Sequence, residues 1–81
     1  MAIKVLFFAS LADITGMRET ELESSSYANV GAIYAKFTRD FPRLEAHRAS
    51  VLFAINSEFA KPDAGVSDGD EVAFFPPVSG G

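Results

Sequence analysis

Apolar residues recur along this chain at two spacings, one suited to strands and one to a helix. From Ile3 to Ala9 almost every residue is apolar. Ile3, Val5 and Phe7 would share one side of an extended strand, and Lys4, Leu6 and Phe8 the other. Two apolar sides are usual for a central strand covered above and below, but one helix cannot cover both. Ser10 to Gly16 predicts a short helical turn, with Ser10 as its cap and Gly16 as its end. From Arg18 to Glu23, charged and polar residues alternate with Thr20 and Leu22. That pattern predicts a solvent-facing edge strand antiparallel to the first, its charges discouraging unwanted pairing. Ser24 to Ser26 reads as a loop.

The spacing then changes. Val30, Ile33, Tyr34, Phe37 and Phe41 fall on one helical stripe, while Lys36, Arg39 and Asp40 lie off it. Asn29 is a good N-cap, so the one substantial helix is expected from Val30 to Asp40. Gly31 weakens its first turn, and Pro42 ends or redirects it. Pro42 to Ala49 predicts a second short turn with Leu44 inward. Val51 to Ile55 is a buried strand by its apolar run; Asn56 to Glu58 is a turn and Phe59-Ala60 a short return strand. Pro62 to Gly65 is loop chemistry, and Asp68-Gly69-Asp70 a tight turn. Glu71 to Phe75 is the last strand, with Val72 and Phe74 on one side and Ala73 and Phe75 on the other. The expected fold is α+β, one mixed sheet curled around one main helix. Residues 1–81 form a single domain from which 76–81 project as a tail.

Two apolar sides and one helix leave a surplus. If Ile3, Val5, Phe7, Val72 and Phe74 pack on the helix stripe, then Leu6, Phe8, Ala73 and Phe75 lie on the opposite side. Phe59 joins them from the neighbouring short strand. Apart from the segment Pro42 to Ser50, nothing in the chain is long enough to fold over that side. An apolar, aromatic patch of this kind is expected to bind a protein partner.

Composition narrows the chemistry. Net charge is −4, from 7 Lys+Arg against 11 Asp+Glu; that argues against nucleic acid as a general partner, since phosphate binding needs a basic face. The chain has no cysteine, which permits a reducing compartment and removes the usual carrier of side-chain sulfur. The start runs straight into a strand, so no signal peptide is expected, and no apolar run reaches membrane-spanning length. A soluble, cytoplasmic protein is the expectation. His47 is the sole histidine, too few for a metal site with its three or four convergent ligands. Asp68, Asp70 and Glu71 cluster, but Asp-Gly-Asp is first a turn; rim contacts to a basic partner are the expected role. Ser24 to Ser26 and Ser79 have no histidine near them in sequence, and no phosphate-cradling glycine loop is present.

The chemistry is expected at the other end. After Phe74-Phe75, Pro76 and Pro77 fix φ and donate no backbone N–H, so the strand stops and the chain leaves the sheet. Pro76 to Gly81 spans roughly 20 Å when extended. Gly80 and Gly81 carry no Cβ and fit a passage too narrow for other residues. A free α-carboxylate on Gly81 is a poor electrophile until joined to AMP, when it becomes open to attack by sulfur, nitrogen or oxygen.

Asp68-Gly69-Asp70-Glu71-Val72-Ala73-Phe74-Phe75-Pro76-Pro77-Val78-Ser79-Gly80-Gly81 resembles the C-terminal signature of molybdopterin synthase small subunits. These are the sulfur carriers of molybdenum cofactor biosynthesis, with a ubiquitin-like β-grasp fold. The run Ile3-Lys4-Val5-Leu6-Phe7-Phe8-Ala9 and the overall length match as well. The resemblance implies that an E1-like adenylyltransferase uses ATP to form a Gly81 acyl-adenylate. A sulfur donor system then converts it to a thiocarboxylate. The carrier docks on the large, catalytic subunit, in a heterotetramer of two small and two large subunits, and passes sulfur to cyclic pyranopterin monophosphate. Gly81 would be the reactive residue, with Pro76, Pro77, Val78, Ser79 and Gly80 as the threading tail. Leu6, Phe8, Phe59, Ala73 and Phe75 would make the hydrophobic contact. The carrier itself would bind no cofactor or metal and supply no catalytic side chain. Many relatives carry a basic residue after the first strand, where this chain has Leu11-Ala12-Asp13; that polar contact to a partner is either missing or replaced, with Arg18 the candidate replacement. A carrier for thiamine thiazole or tungsten-cofactor assembly, a ubiquitin-like modifier joined to lysines, and a binding module with an inert tail are the alternatives.

Overall fold

The computed structural model describes residues 2–77. Five strands form one sheet: β1 Ala2–Phe7, β2 Glu19–Glu23, β3 Leu52–Ile55, β4 Glu58–Ala60 and β5 Glu71–Phe75. Two helices interrupt them, α1 Ser10–Thr15 and α2 Val30–Asp40. The order across the sheet is β2-β1-β5-β3-β4. β1 and β5 run parallel at the centre, and the other neighbours are antiparallel. The sheet is therefore mixed, and β2 is the edge strand its charges predict.

The α2 stripe explains where the core lies. Val30, Ile33, Tyr34 and Phe37 face the sheet and meet Ile3, Val5, Phe7, Phe53, Val72 and Phe74, all buried. Phe41 packs partly buried against this cluster. Fully burying each such side chain stabilises the fold by about 1.5–3 kcal/mol. The rings meet edge to face: Phe7 on Phe37 with centroids 4.9 Å apart, and Tyr34 on Phe74 at 5.3 Å. Asn29 caps α2 by accepting a hydrogen bond from the Ala32 N–H at 2.8 Å. Pro42–His47 forms a 3-10 turn with Leu44 buried inward, as its pattern predicts. The Tyr34 hydroxyl donates to the Leu44 carbonyl at 2.7 Å, which ties that turn to the helix. Burial, with Glu45 nearby, raises the Tyr34 phenol above its ordinary pKa.

Gly31 is more than a weak helix residue. Its N–H donates to the Pro62 carbonyl at 2.8 Å, and a Cβ there would sit 2.9 Å from that oxygen. The glycine lets the β4–β5 connection press against the first turn of α2.

Several local expectations change. Ser10 does not cap α1; it is the first helical residue, and the preceding Ala9 holds the cap position at φ 52° with no side-chain cap bond. The chain turns too sharply after Phe7 for Ser10 to stand outside the helix. Gly16 ends α1 in the left-handed region at φ 73°, as expected. Ser24–Ser26 makes one 3-10 turn rather than an irregular loop. Glu58 belongs to β4, because the hairpin turns on Asn56 and Ser57, both at positive φ. The second side of β1 is left uncovered by the described residues, as the single long helix predicts: Pro42–His47 packs against α2 and α1, away from that side.

Candidate functional site

Strand register assembles the uncovered side of the sheet. Leu6 pairs with Ala73, Ala73 with Ala54, and Ala54 with Phe59. Paired residues in adjacent strands point to the same side, so these four form one row across the sheet. The next row holds Phe75, paired with Leu52. Phe8 follows β1 and stacks on Phe75, with centroids 4.5 Å apart and planes 10° from parallel. Phe59 approaches Phe75 from the other side at 6.2 Å and 62°.

Two alanines at the centre and three rings around them make a shallow dish of about 230 Å³, with Ser57 and Glu71 also on its lining. Phe59 is 78% exposed, Phe8 41% and Leu52 38%. An open dish walled by aromatic rings suits an apolar projection from a protein partner. The structure thus brings Leu6, Phe8, Phe59, Ala73 and Phe75 together, as the strand pattern predicts. It adds Ala54 and Leu52. Ala54 is buried, as the apolar run Val51–Ile55 predicts, but Leu52 is exposed, because a run without alternation does not reveal which residues face outward.

Beside Phe8 lies a second concavity, lined by Leu6, Phe8, Ala9, Ala12, Asp13, Arg18 and Glu19 among others. Arg18, the candidate replacement for a basic residue after the first strand, therefore lies next to the aromatic group. Farther along the sheet edge, Lys4 pairs with Glu19 at 3.8 Å between exposed side chains, a contact worth well under about 1 kcal/mol.

Asp70 of the acidic cluster has a structural role. Asp70 accepts hydrogen bonds from the Ser67 N–H at 2.7 Å and the Asn56 side-chain amide at 3.0 Å. Asn56 in turn accepts from the Glu71 N–H at 3.0 Å. Asp70 thus clamps the β3–β4 hairpin to the start of β5. The Asp-Gly-Asp pattern shows the turn but not this clamp, because Asn56 and Asp70 are joined only by the fold. Among the described residues no group of three or more His, Asp or Glu could hold a metal ion. No described helix is long and apolar enough to cross a membrane.

β5 lies between β1 and β3, and its last residue, Phe75, is part of the aromatic group. Pro76 and Pro77 follow it out of the sheet. Val78, Ser79, Gly80 and Gly81 lie outside the described residues, and with them the expected reactive terminus.

Residues 5–81 match the family model described as the ThiS family. The molybdopterin synthase sulfur carrier subunit of Chlamydomonas reinhardtii is 36% identical over 83 residues, covering 100% of both chains. That of Escherichia coli is 38% identical over 81 residues, covering 98% of this chain and 99% of its own. The crystal structure of SAMP1 from Haloferax volcanii, a small archaeal modifier protein, superposes with a TM-score of 0.79 at 29% identity, covering 100% of both chains.

Proposed function

The chain belongs to the ThiS family of ubiquitin-like β-grasp proteins, and we propose that it is the sulfur carrier subunit of molybdopterin synthase. The observation that carries the reading is the aromatic dish at the root of the tail. Phe75 belongs both to the dish and to the strand from which Pro76 to Gly81 continue. A partner that seats the dish therefore also receives the tail. The curated relatives bearing the name sulfur carrier subunit match this chain over nearly its whole length.

In this reading an E1-like enzyme uses ATP to convert the Gly81 carboxylate into an acyl-adenylate, with pyrophosphate leaving. A sulfur donor system then displaces AMP and leaves a thiocarboxylate. The chain has no cysteine, so its own terminus is the group that carries sulfur. The large subunit binds Leu6, Phe8, Phe59, Ala73 and Phe75, admits Pro76 to Gly81, and supplies the catalytic groups. Gly80 and Gly81 are the residues narrow enough to reach the reacting centre. Sulfur then passes to cyclic pyranopterin monophosphate, in an assembly of two small and two large subunits in the cytoplasm.

The likeness to SAMP1 favours one second reading, a modifier joined through Gly81 to lysines of other proteins. The two readings share the adenylate and part at the nucleophile. The intact mass of chain from its native host tests the first: thiocarboxylate formation replaces oxygen by sulfur and adds about 16 Da. That chain, mixed with the large subunit and pterin precursor, should yield a dithiolene. Unshifted mass together with branched Gly-Gly adducts on many proteins would contradict the carrier reading.

A further inference from the structure

We propose that Ala9 is a positioning residue, whose restricted backbone holds the Phe8 ring in place for docking. The proposal rests on the reading that the aromatic dish binds the large subunit.

Phe8 and Ala9 alone join β1 to α1, and the chain turns at Ala9. Phe7 ends β1 inside the core, so alternation sends Phe8 to the opposite side. α1 begins at Ser10, one residue after Ala9. To make that turn Ala9 adopts φ 52° and ψ −128°, a conformation comfortable for glycine and strained for any residue with a Cβ. The other described residues at positive φ have ordinary reasons for it. Gly16 and Gly69 are glycines, and Asn56 and Ser57 form the β3–β4 hairpin turn. Ala9 is neither a glycine nor part of a hairpin; it holds the first central position of the turn that the Phe8–Leu11 hydrogen bond closes at the entry to α1.

The surroundings oblige it to stay. The Phe8 N–H donates to the Phe74 carbonyl at 3.2 Å, which extends the β1–β5 ladder by one residue. The Phe8 carbonyl accepts from the Leu11 N–H at 3.1 Å, and the Ala9 carbonyl from the Ala12 N–H at 3.0 Å. Leu11 is wholly buried and anchors α1. Strain that persists because both flanks over-determine it is found where geometry matters to function. Here the geometry it fixes is that of Phe8, which stacks on Phe75 at 4.5 Å while 41% exposed. A glycine would relieve the strain but also open new backbone conformations, and the ring would need to be ordered again on each docking event.

The test uses full-length chains with three residues at position 9: the natural alanine, glycine (Ala9→Gly), and D-alanine introduced by chemical synthesis. D-alanine is relaxed at this φ and ψ, yet denies most of the freedom glycine has. Ala9→Gly should leave the thermal midpoint equal or higher, weaken Phe8–Phe75 ring contacts in nuclear Overhauser spectra of the free chain, and lower affinity for the large subunit about fivefold to tenfold. The D-alanine chain should match or exceed the natural midpoint and keep both ring contacts and affinity. Unchanged ring contacts and affinity in Ala9→Gly would overturn the proposal. So would a D-alanine chain that loses affinity as the glycine chain does, since the methyl group and not the stiffness would then matter. If the natural chain fails to bind the large subunit, the docking reading falls, and the proposal with it; the free-chain ring contacts still tell whether Ala9 orders Phe8.

Discussion

The two sides of this sheet are made from the same three central strands and much the same residue types, yet they end differently. On the inner side Val5, Phe7, Val72, Phe74 and Phe53 lie under α2 and reach at most 7% exposure. On the outer side Leu6, Phe8, Ala73, Ala54 and Phe75 meet no helix, and Phe59 beside them is 78% exposed. Alternation decides which residues share a side. The supply of covering elements decides whether that side is buried. With one long helix, a chain can cover only one of two apolar sides, and the other is available for a partner.

That contrast makes ordered predictions. Phe74→Ala should be the most damaging single change, because the ring is fully buried and touches Phe7, Tyr34 and Phe53. It should cost about 3–5 kcal/mol of stability by chemical denaturation, much of what so small a domain has. The adjacent Phe75→Ala should show the reverse balance. It should cost about 1 kcal/mol of stability and lower affinity for the large subunit by roughly tenfold to a hundredfold in calorimetric titration. Equal stability losses for these neighbouring phenylalanines would break the comparison.

Smaller effects sharpen the account of the covered side. Gly31→Ala should destabilise by about 1–2 kcal/mol, although alanine is the better helix former, because its Cβ would press on the Pro62 carbonyl. A stabilised variant would mean the β4–β5 connection does not hold the helix. Smallest is the alkaline limb of the stability curve. The Tyr34 phenol is raised above its ordinary 10.0, chiefly by burial, so the unfolded chain releases this proton first. Stability from this group is fully present below pH about 10 and lost as pH rises through the raised value. Tyr34→Phe should flatten that loss in denaturation curves recorded from neutral to alkaline pH.

Much of the fold was legible in the sequence. Asn29, the stripe from Val30 to Phe37 and the charges of Glu19 to Glu23 each act locally, and each predicts its element. What escaped depended on neighbours distant in the chain. Ser10 looked like a cap because serine caps well, but the Phe8–Leu11 hydrogen bond moves the helix start one residue earlier. Gly31 looked like a weakness, because Pro62 is far from it in sequence. The Asp70 clamp was hidden for the same reason, its partner Asn56 following β3, the strand beside β5. The outer aromatic group was legible on β1 and β5, where alternation is clean, and hidden on β3, where Val51 to Ile55 runs apolar without a break.

The most direct test of the division between a folding side and a docking side is Phe59→Ser, read for stability and for affinity in the same preparation. The account predicts a thermal midpoint within a few degrees of the natural chain, since the ring is mostly exposed, and affinity for the large subunit lowered at least about tenfold. A chain that melts much earlier yet binds as before would contradict it.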